Sequence, residues 1–382
     1  MEILHTSDWH LGRMIHGKSL LEDQTYFIDQ CFFPILEQER PDCVILAGDV
    51  FDRRIAPVEA IRLFDRVMER MSQEYGIPLL VVAGNHDSAD RLTMGASLLR
   101  KQGVYLAGRL EDASNPIILR DDEGEVHFYL IPYVDTAAAK TADASVHTSQ
   151  DVYRTLVKKI SRNTNTRRVM VGHLFAAGAS PSASESVFLG GTGQVSAALF
   201  QDFDYVALGH LHTAQKAGEN GWYSGSPLPY SFEEGIREKS LRLITLSANK
   251  KTVVRELPIK PLRHMRVLRG TFEELLELGK RKREEDYLLI ELTDTFPILE
   301  PMARLREVYP NLLCLRSEWM NQTKFEQEER RKLRQGLQDE KIGDLVVFDA
   351  FLQQICGEKP SEEDHRIFRQ AQQVAESEEM EI

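Results

Sequence analysis

The chain has 382 residues, 42% of them hydrophobic, and its formal net charge is −12. A chain of this length can hold two domains and a tail. The acidic balance argues against strong nucleic-acid binding by the chain alone, because such binding usually rests on a basic surface that releases counterions. It does not exclude a nucleic-acid substrate, since bound cations and local basic residues can create a positive cleft.

The four cysteines show no CxxC spacing, which favours a reducing compartment over a disulfide framework. The sequence opens with a predicted strand instead of a charged and then apolar leader, and no apolar run approaches membrane-spanning length. We therefore expect a cytoplasmic protein without a membrane anchor.

Five short apolar runs are predicted to be buried strands, and a polar motif follows each of them. Runs of this kind, rich in Val and Ile, are typical of sheets covered on both faces. They are Ile3–Leu4, Val44–Ala47, Leu79–Val82, Val169–Val171 and Tyr205–Leu208. The motifs are Asp8-x-His10, Gly48-Asp49, Gly84-Asn85-His86-Asp87, Gly172-His173 and Gly209-His210-Leu211-His212. Because ligands collect beyond the carboxyl ends of strands in α/β sheets, we expect a metal centre there.

The number of candidate ligands indicates two metal ions. Seven side chains are too many for one four-coordinate ion with an open position: Asp8, His10, Asp49, Asn85, His173, His210 and His212. With one bridging carboxylate, each of two ions would have four protein ligands and room for water and substrate. Such pairs, about 3.5–4 Å apart, hold the attacking and leaving oxygens of a phosphoryl displacement. Glycine precedes the ligand in four motifs, and we expect positive φ at these glycines to aim the side chains.

The ordered motifs resemble those of the calcineurin-like metallophosphoesterases. Longer segments resemble the nuclease branch of that superfamily, the SbcD-type subunits. These segments are ILHTSDWHLG (3–12), AGDVF (47–51), FDYVALGHLH (203–212) and YSGSP (223–227). The resemblance covers residues 1–260 strongly and the remainder loosely. It implies an α/β fold: a two-sheet metallophosphoesterase sandwich flanked by helices, with a small α+β capping domain and a C-terminal helical tail.

The resemblance also implies how the two ions share their ligands. Asp8, His10, Asp49 and His212 would hold one ion, and Asp49, Asn85, His173 and His210 would hold the other. Asp49 would be the bridge. Mixed nitrogen and oxygen ligands favour Mn²⁺, Fe²⁺ or Zn²⁺ over Mg²⁺ or Ca²⁺, and the resemblance favours Mn²⁺.

His86 is the motif histidine that metal binding does not require, and we predict that it protonates the leaving oxygen or stabilises charge on the phosphate. Asp52 stands three residues after Asp49, in a GDxxDR element resembling that of the superfamily's protein phosphatases. We predict that the Asp52 carboxylate orients His86. The alternative is that Asp52 only caps the following turn. Asp87 is expected to close its own turn through the backbone.

One motif match points elsewhere. Residues 12–19 fit the phosphate-loop pattern GxxxxGK[ST], but Asp8 and His10 separate the pattern from its strand, so we do not expect ATP binding there. Arg13, His16 and Lys18 in this segment are candidate DNA-backbone contacts, and a solvated loop is the equal alternative.

The chain divides into four predicted parts. A nuclease domain covers 1–258, and paired prolines at Pro258 and Pro261 mark the break after it. A small unit of alternating strands and helices covers 259–317. The resemblance makes it a capping domain that guides DNA, and the alternative is a stabilising appendage. A charged linker covers 318–342.

The tail, 343–382, carries two apolar stripes at helical spacing. The first runs from Val347 to Ile355 and includes Phe348, and the second runs from Ile367 to Val374 and includes Phe368. Ser361 and Asp364 form a predicted helix cap and box between them. The resemblance implies that this helix-loop-helix grips an SbcC-type, SMC-like ATPase. The alternative is that it packs back on its own domain.

The function implied is metal-dependent hydrolysis of DNA phosphodiesters, as an exonuclease on double-stranded ends and an endonuclease on hairpins. The chain would act in DNA repair and recombination, as a homodimer within a heterotetramer. A small-molecule phosphodiesterase acting on cyclic nucleotides would share the same motifs. A non-catalytic subunit that recruits an ATPase to DNA is the other alternative, and the complete ligand set disfavours it.

Overall fold

The computed structural model describes residues 1–111, 113–135, 147–160, 166–182, 184–185, 193–282 and 284–317, and of the tail residues 345, 348–349, 352, 361–362 and 364–370. The chain forms two compact units, Met1–Arg266 and Val267–Ile382. The linker predicted over 318–342 lies outside the described residues. In the part of the chain that is described, no helix combines the length and apolarity needed to cross a bilayer.

The larger unit is built of short strands connected by helices. Its strands are β1 (Glu2–Thr6), β2 (Met14–Ile15), β3 (Lys18–Ser19), β4 (Cys43–Ala47), β5 (Leu79–Val82), β6 (Val104–Ala107), β7 (Ile117–Asp121), β8 (Gly124–Ile131), β9 (Arg167–His173), β10 (Phe175–Ala176), β11 (Gln194–Val195), β12 (Tyr205–Gly209), β13 (Gln215–Ala217), β14 (Gly221–Tyr223), β15 (Ser240–Leu246) and β16 (Thr252–Pro258). Its α-helices are α1 (Leu21–Phe27), α2 (Phe33–Glu39), α3 (Val58–Arg70), α4 (Ala89–Leu92), α5 (Ala96–Leu99) and α6 (Ser149–Lys159).

Two six-stranded sheets carry the five predicted strands. The first has the order β16-β15-β1-β4-β5-β6, and the second has the order β13-β14-β12-β9-β8-β7. Strands β1, β4, β5 and β6 run parallel, as do β14, β12, β9 and β8. Parallel strands end at the same edge of their sheet, so each sheet presents its motif residues at one edge. The predicted α/β sandwich with flanking helices is confirmed.

The two sheets pack face to face through one apolar core. Ile45 and Val82 of the first sheet belong to the same buried cluster as Phe128, Val171 and Ala207 of the second. Burial of each large apolar side chain contributes about 1.5–3 kcal/mol. On the outer face of the second sheet, α6 belongs to a separate core cluster with β9 and β12. The core thus fixes the strand ends that carry the candidate ligands.

The segment that matches the phosphate-loop pattern is a β-hairpin. Met14 pairs with Ser19 and Ile15 with Lys18, and the turn between them has φ of 47° at His16 and 79° at Gly17. Positive φ at both central residues is typical of a tight two-residue hairpin turn. Lys18 is therefore on an exposed strand and not at a helix N-terminus, in agreement with the expectation that this segment is not a phosphate loop.

A buried ion pair stabilises the far end of the second sheet. Arg167 on β9 donates to Asp121 on β7, with Nη1 2.8 Å from Oδ2, and Arg167 Nη1 also donates to the Leu246 carbonyl of the first sheet at 3.1 Å. The side chains are 3% and 12% exposed. The hydrogen bond from Arg167 holds the pKa of Asp121 well below its ordinary range.

We expect Asp121→Asn to lower the free energy of unfolding at pH 7 by about 3 kcal/mol, because the buried Arg167 loses its nearest counter-charge and keeps the half-exposed Glu123 only at 3.5 Å. Because the folded-state pKa of Asp121 is depressed, the stabilisation is present above the unfolded-state value of about 3.9 and is lost as the pH falls further. Denaturant titrations at several pH values would measure this, with Asp122→Asn on the exposed neighbour as control. A difference that persisted undiminished at low pH would assign the loss to packing.

The second unit is a small α+β arrangement. Its strands β17 (Met265–Gly270), β18 (Tyr287–Leu292) and β19 (Leu312–Ser317) lie in that order in one sheet, with helices α7 (Phe272–Arg281) and α8 (Pro301–Arg306). Helix α7 begins at a capping box in which Thr271 and Glu274 bond each other's backbone N–H groups. Phe272, Ile290 and Tyr309 belong to its core. The strands and helices predicted for this unit are present.

The described tail residues fall in two stretches, 345, 348–349 and 352 in the first and 361–362 and 364–370 in the second, and all of them but Ser361 are helical. The predicted cap is confirmed, since Ser361 Oγ accepts from the backbone N–H of Asp364 and the Asp364 carboxylate accepts from the backbone N–H of Ser361. Phe348 and Phe368 stack with ring centroids 4.1 Å apart, so the two stretches contact each other. Other positions of the two predicted stripes, among them Val347, Ile355 and Val374, lie outside the described residues.

Candidate metal centre

The structure brings all seven predicted ligands together where the two sheets meet. The Asp49 carboxylate is at the middle of the group, with its Oδ2 3.5 Å from Nε2 of His10 and 3.4 Å from Nε2 of His173. Asp49 follows β4, whereas His10 follows β1 and His173 ends β9. The site is therefore assembled by residues from both sheets.

Contacts among the remaining ligands divide them into two groups on either side of Asp49. His10 Nε2 and His212 Nε2 are 3.1 Å apart. On the other side, Asn85 Oδ1 is 2.9 Å from Nε2 of His173 and 3.0 Å from Nδ1 of His210. These five residues fall into the groups that the family pattern implies, whereas Asp8 lies near both groups, with a ligand atom within 4.8 Å of those of His10 and His212 and of those of Asp49 and His173.

The donor set suits a pair of divalent transition-metal ions. The ligand atoms of Asp8, His10 and His212 all lie within 4.8 Å of one another, and so do those of Asp8, Asp49 and His173. Imidazole nitrogens mixed with carboxylate and amide oxygens are the ligands that Mn²⁺, Fe²⁺ and Zn²⁺ accept. The residues present therefore fit a dinuclear centre.

Burial shifts the titration of several of these groups. It raises the pKa of Asp8 to about 6, although His173 and His212 oppose it, and it lowers the pKa of His210 to about 3. Burial also lowers the pKa of His173, but the Asp49 charge and hydrogen bond outweigh it and raise the value to about 9. Ligation requires ionised carboxylates and neutral imidazoles, so binding of cations here displaces protons.

Backbone strain is concentrated at the ligands. Four of the ligands have a backbone φ in the left-handed region that residues other than glycine seldom adopt. The values are 54° at Asp8, 43° at His10, 49° at Asp49 and 100° at His210. Strained residues of this kind collect at functional sites, where the surrounding structure enforces them. At each of these residues the positive φ turns the backbone sharply after a strand, so that the side chain is directed into the crevice.

The expected role of the preceding glycines is correct for one and wrong for three. Gly48 has a φ of 89°, but Gly84, Gly172 and Gly209 do not have positive φ. At Gly84 and Gly209 the reason for glycine is close approach: a Cβ would overlap the Asp49 carboxylate in the first case and the Ala47 carbonyl in the second. Four of the seven ligands, but only one of these four glycines, adopt the unusual conformation.

Gly209→Ala is accordingly expected to destabilise the protein by about 3 kcal/mol, at the upper end of the usual cost of overpacking. The added methyl would displace the Ala47 carbonyl, which accepts a hydrogen bond from Nδ1 of His173 at 2.9 Å. Thermal unfolding would measure the effect. Gly270→Ala is the control, because a Cβ there would meet only ordinary contacts at 3.4 Å or more. Equal melting temperatures for the two variants would contradict the argument.

Asp52 does contact His86, but the prediction that its carboxylate makes this contact is wrong. Nδ1 of His86 lies 2.8 Å from the main-chain carbonyl oxygen of Asp52, whereas the Asp52 carboxylate accepts from Nη1 of Arg13 at 2.8 Å. The same carboxylate is 3.7 Å from Nδ1 of His10. The alternative, a cap for the following turn, does not describe these contacts either. The GDxxDR spacing places Asp52 beside His86, but the direction of its side chain depends on Arg13.

Asp87 closes its own turn, as predicted, and it also bonds a second loop. Its carboxylate accepts from the backbone N–H groups of Gly84, Val50 and Phe51 at 2.8, 3.1 and 2.9 Å. It thereby ties the loop that carries Asn85 and His86 to the loop that carries Asp49.

Several residues that support the site carry no strand-end motif, so no local pattern in the chain identifies them. Gln24 on α1 bonds the main chain of the Asp8–Gly12 turn. The Tyr230 hydroxyl donates to the Trp9 carbonyl at 2.6 Å. Glu185 accepts from the backbone N–H of His212, and Glu234 faces the His212 ring. These contacts are long-range, and spacing along the chain cannot reveal them.

Comparison with known proteins finds two sequence families and several relatives that match this chain. A sequence family described as calcineurin-like phosphoesterase matches residues 1–214, and one described as type 5 capsule protein repressor C-terminal domain matches residues 261–355. The SbcD subunit of the nuclease SbcCD from Staphylococcus saprophyticus is 33% identical over 366 residues, which cover 94% of each protein. The corresponding SbcD subunit from Staphylococcus epidermidis is 34% identical over 322 residues, 82% of this chain and 85% of the relative.

The ligand set, the two-sheet fold and a relative matched over nearly the whole chain lead to one assignment. The chain belongs to the calcineurin-like phosphoesterases and, within them, to the SbcD family, and it is a metal-dependent phosphodiesterase.

Proposed function

We propose that this chain is the nuclease subunit of a two-component DNA-processing complex and hydrolyses DNA phosphodiesters at a dinuclear centre. The observation that carries the proposal is the gathering of seven candidate ligands at one site, five of them in two groups on either side of Asp49. Relatives over most of the chain are named as SbcD subunits of the nuclease SbcCD. Such a role would belong to DNA repair and recombination.

Two Mn²⁺ ions are the proposed cofactors, held by the ligands in the division given above. When bound, they supply the positive charge that stabilises a phosphate under attack and make water acidic enough to act as the nucleophile. The chain supplies the fixed geometry. The core of the sandwich holds the strand ends in place, and Asp87 joins two ligand loops.

His86 is the proposed general acid. Its ring centroid is 4.7 Å from that of His10, so it borders the centre. Donation from Nδ1 to the Asp52 carbonyl fixes the ring and leaves Nε2 to give a proton to the leaving oxygen. Because a main-chain carbonyl can only accept a hydrogen bond, this contact requires a hydrogen on Nδ1 of His86. It orients the ring without placing a second acidic group beside it.

The proposed substrates are double-stranded ends, for exonuclease action, and hairpins, for endonuclease action. Arg13 lies near the centre, 5.1 Å from the ring centroid of Tyr230, and although its Nη1 pairs with the Asp52 carboxylate at 2.8 Å, its other N–H groups make it a candidate backbone contact. His16 and Lys18, on the neighbouring hairpin, remain candidate backbone contacts. The net charge of −12 supports a complex in which the partner, and not this chain, contributes most of the DNA affinity.

The second unit and the tail are the proposed sites of guidance and assembly. Residues 259–317 would cap the nuclease domain and guide DNA, and residues 343–382 would grip an SbcC-type, SMC-like ATPase. The stacked Phe348 and Phe368 support a helical pair in the tail. Homodimerisation within a heterotetramer is supported by the exposed apolar side chains of Ile55, Met94 and Leu98, 71–80% exposed. We propose a cytoplasmic location, where such an ATPase finds ATP.

The proposal is tested by incubating the purified chain and Mn²⁺ with a hairpin-ended DNA duplex, beside bis-p-nitrophenyl phosphate. Cleavage of both supports a DNA nuclease. Hydrolysis of the simple ester without DNA cleavage, even after an SbcC-type ATPase and ATP are added, would favour the small-molecule phosphodiesterase. Absence of both activities would favour the non-catalytic subunit.

Deletion of residues 343–382 is expected to abolish binding of the ATPase while metal-dependent hydrolysis of bis-p-nitrophenyl phosphate stays within about twofold. The reason is that the ligands all lie in the first compact unit. Co-purification with the ATPase and ester hydrolysis would be measured on the same preparation. Loss of both properties would mean that the tail belongs to the core of its own domain.

A further inference from the structure

A buried carboxylate that is not among the predicted ligands faces one of the metal-binding histidines. Glu234 is 3% exposed and lies in a short 3₁₀ turn, Glu234–Ile236. Its Oε1 is 3.4 Å from Nδ1 of His212 and also accepts from Ser184 Oγ. Ser184 Oγ is itself 2.8 Å from Nδ1 of His212. The ring nitrogen that points away from the metal centre therefore meets a hydroxyl and two carboxylates, the second being that of Glu185 with Oε1 at 3.6 Å.

The other oxygen of Glu234 is fixed by positive charge. Oε2 accepts from Nζ of Lys239 at 2.8 Å and from the backbone N–H of Tyr230 at 3.2 Å. Nζ of Lys239 donates in addition to the His212 carbonyl at 2.9 Å. The Glu234–Lys239 pair thus holds His212 at its ring and at its main chain. Burial of such a pair is costly unless all its hydrogen bonds are made, as they are here.

The hydrogen bonds at Nδ1 of His212 determine whether Nε2 has a free lone pair for a metal ion. A hydrogen on Nδ1, donated to this oxygen cluster, leaves Nε2 with a lone pair directed at the metal centre, where it faces Nε2 of His10 at 3.1 Å. His173 differs, because its Nδ1 is 2.9 Å from a main-chain carbonyl, that of Ala47. His212 is therefore a ligand whose ring is held by side chains and not by the main chain, and the Glu234 carboxylate contacts both Nδ1 and its nearest partner, Ser184.

We propose that Glu234 is a positioning residue for the metal centre: together with Lys239 it fixes the tautomer and direction of His212, and so determines the affinity of one of the two ions. This inference rests on the proposed function, because it requires His212 to be a ligand. Carboxylates that orient ligand histidines usually change metal affinity or activity by about 10–100-fold when removed.

The test is Mn²⁺ binding to the full-length, chelator-treated protein, with free Mn²⁺ followed by its paramagnetic resonance signal. Wild type, Glu234→Gln and Glu233→Gln are compared, the last being the same change at an exposed neighbour. Two sites are expected in each. In Glu234→Gln one dissociation constant should rise about 10–100-fold while the other stays within about threefold, and hydrolysis should recover as Mn²⁺ is raised.

Each other outcome overturns the inference in a distinguishable way. Two unchanged sites in Glu234→Gln would overturn it while leaving the proposed function intact. Equal weakening of both sites, with a lower melting temperature in chelator, would show a structural role only. No Mn²⁺ binding by wild type would reject the dinuclear centre and the inference together. Should Glu234→Gln not fold, Lys239→Met must weaken the same single site, and two unchanged sites there would also overturn the inference.

Discussion

Asp49→Asn is expected to lower the rate of phosphodiester hydrolysis by about a thousandfold or more. The Asp49 carboxylate lies between the two ligand groups, within 3.5 Å of a histidine nitrogen from each. The amide keeps the size of the side chain but removes the negative charge that holds two cations close together. Loss of the metal-centred stabilisation of several kcal/mol corresponds to about three powers of ten in rate.

Metal content and rate should be measured together for this variant. We expect fewer than two Mn²⁺ per chain in Asp49→Asn and two in Asp65→Asn, a control for the same change on an exposed part of helix α3. The introduced amide oxygen can still accept the backbone N–H of His86 that Asp49 Oδ1 accepts at 2.8 Å, so the loop should keep its fold. Two tightly bound ions and a wild-type rate would refute the bridging role.

His86→Ala is expected to lower kcat for DNA by about 10²–10⁴-fold, the usual contribution of a general acid, with both Mn²⁺ ions still bound. The effect should depend on the leaving group. Departure of a DNA 3′-oxygen needs a proton, whereas p-nitrophenolate leaves readily without one. The loss of rate on bis-p-nitrophenyl phosphate should therefore be much smaller than the loss on DNA.

The comparison of the two substrates distinguishes acid catalysis from other roles of His86. Mn²⁺ stoichiometry, kcat and KM would be measured for His86→Ala and for His147→Ala, an exposed histidine outside the site. An equal loss of kcat on both substrates would indicate that His86 stabilises charge on the phosphate instead of protonating the leaving oxygen. Loss of one bound ion would make it a ligand.

Much of the fold was predictable because strand and motif coincide in the chain. Val44–Ala47 and Tyr205–Leu208 are continuous apolar runs, and β4 and β12 occupy these positions. The polar residues after them need only the rule that strand ends collect ligands. The cap at Ser361 and Asp364 was predictable for a similar reason, since both partners lie within one turn of a helix.

Interactions between distant segments were not predictable in the same way. The GDxxDR spacing indicated that Asp52 is near His86, but the packing of Arg13 turns the carboxylate away and leaves the carbonyl to meet the ring. The glycine before a ligand suggested positive φ, whereas at Gly209 the constraint is the carbonyl of Ala47 on the facing sheet. A pattern of neighbouring residues in the sequence cannot predict where a second sheet will pack against them.

The sequence by itself determined the class of this protein, because the identities and order of Asp8, His10 and their partners require no knowledge of distance to indicate a metal-dependent phosphoesterase. Only the tertiary structure decided which side chains support those ligands. Glu234 lies 22 residues from His212, and Ser184 lies 28 residues from it. Their contact exists because the two sheets pack face to face and bring loops from separate parts of the chain to one edge.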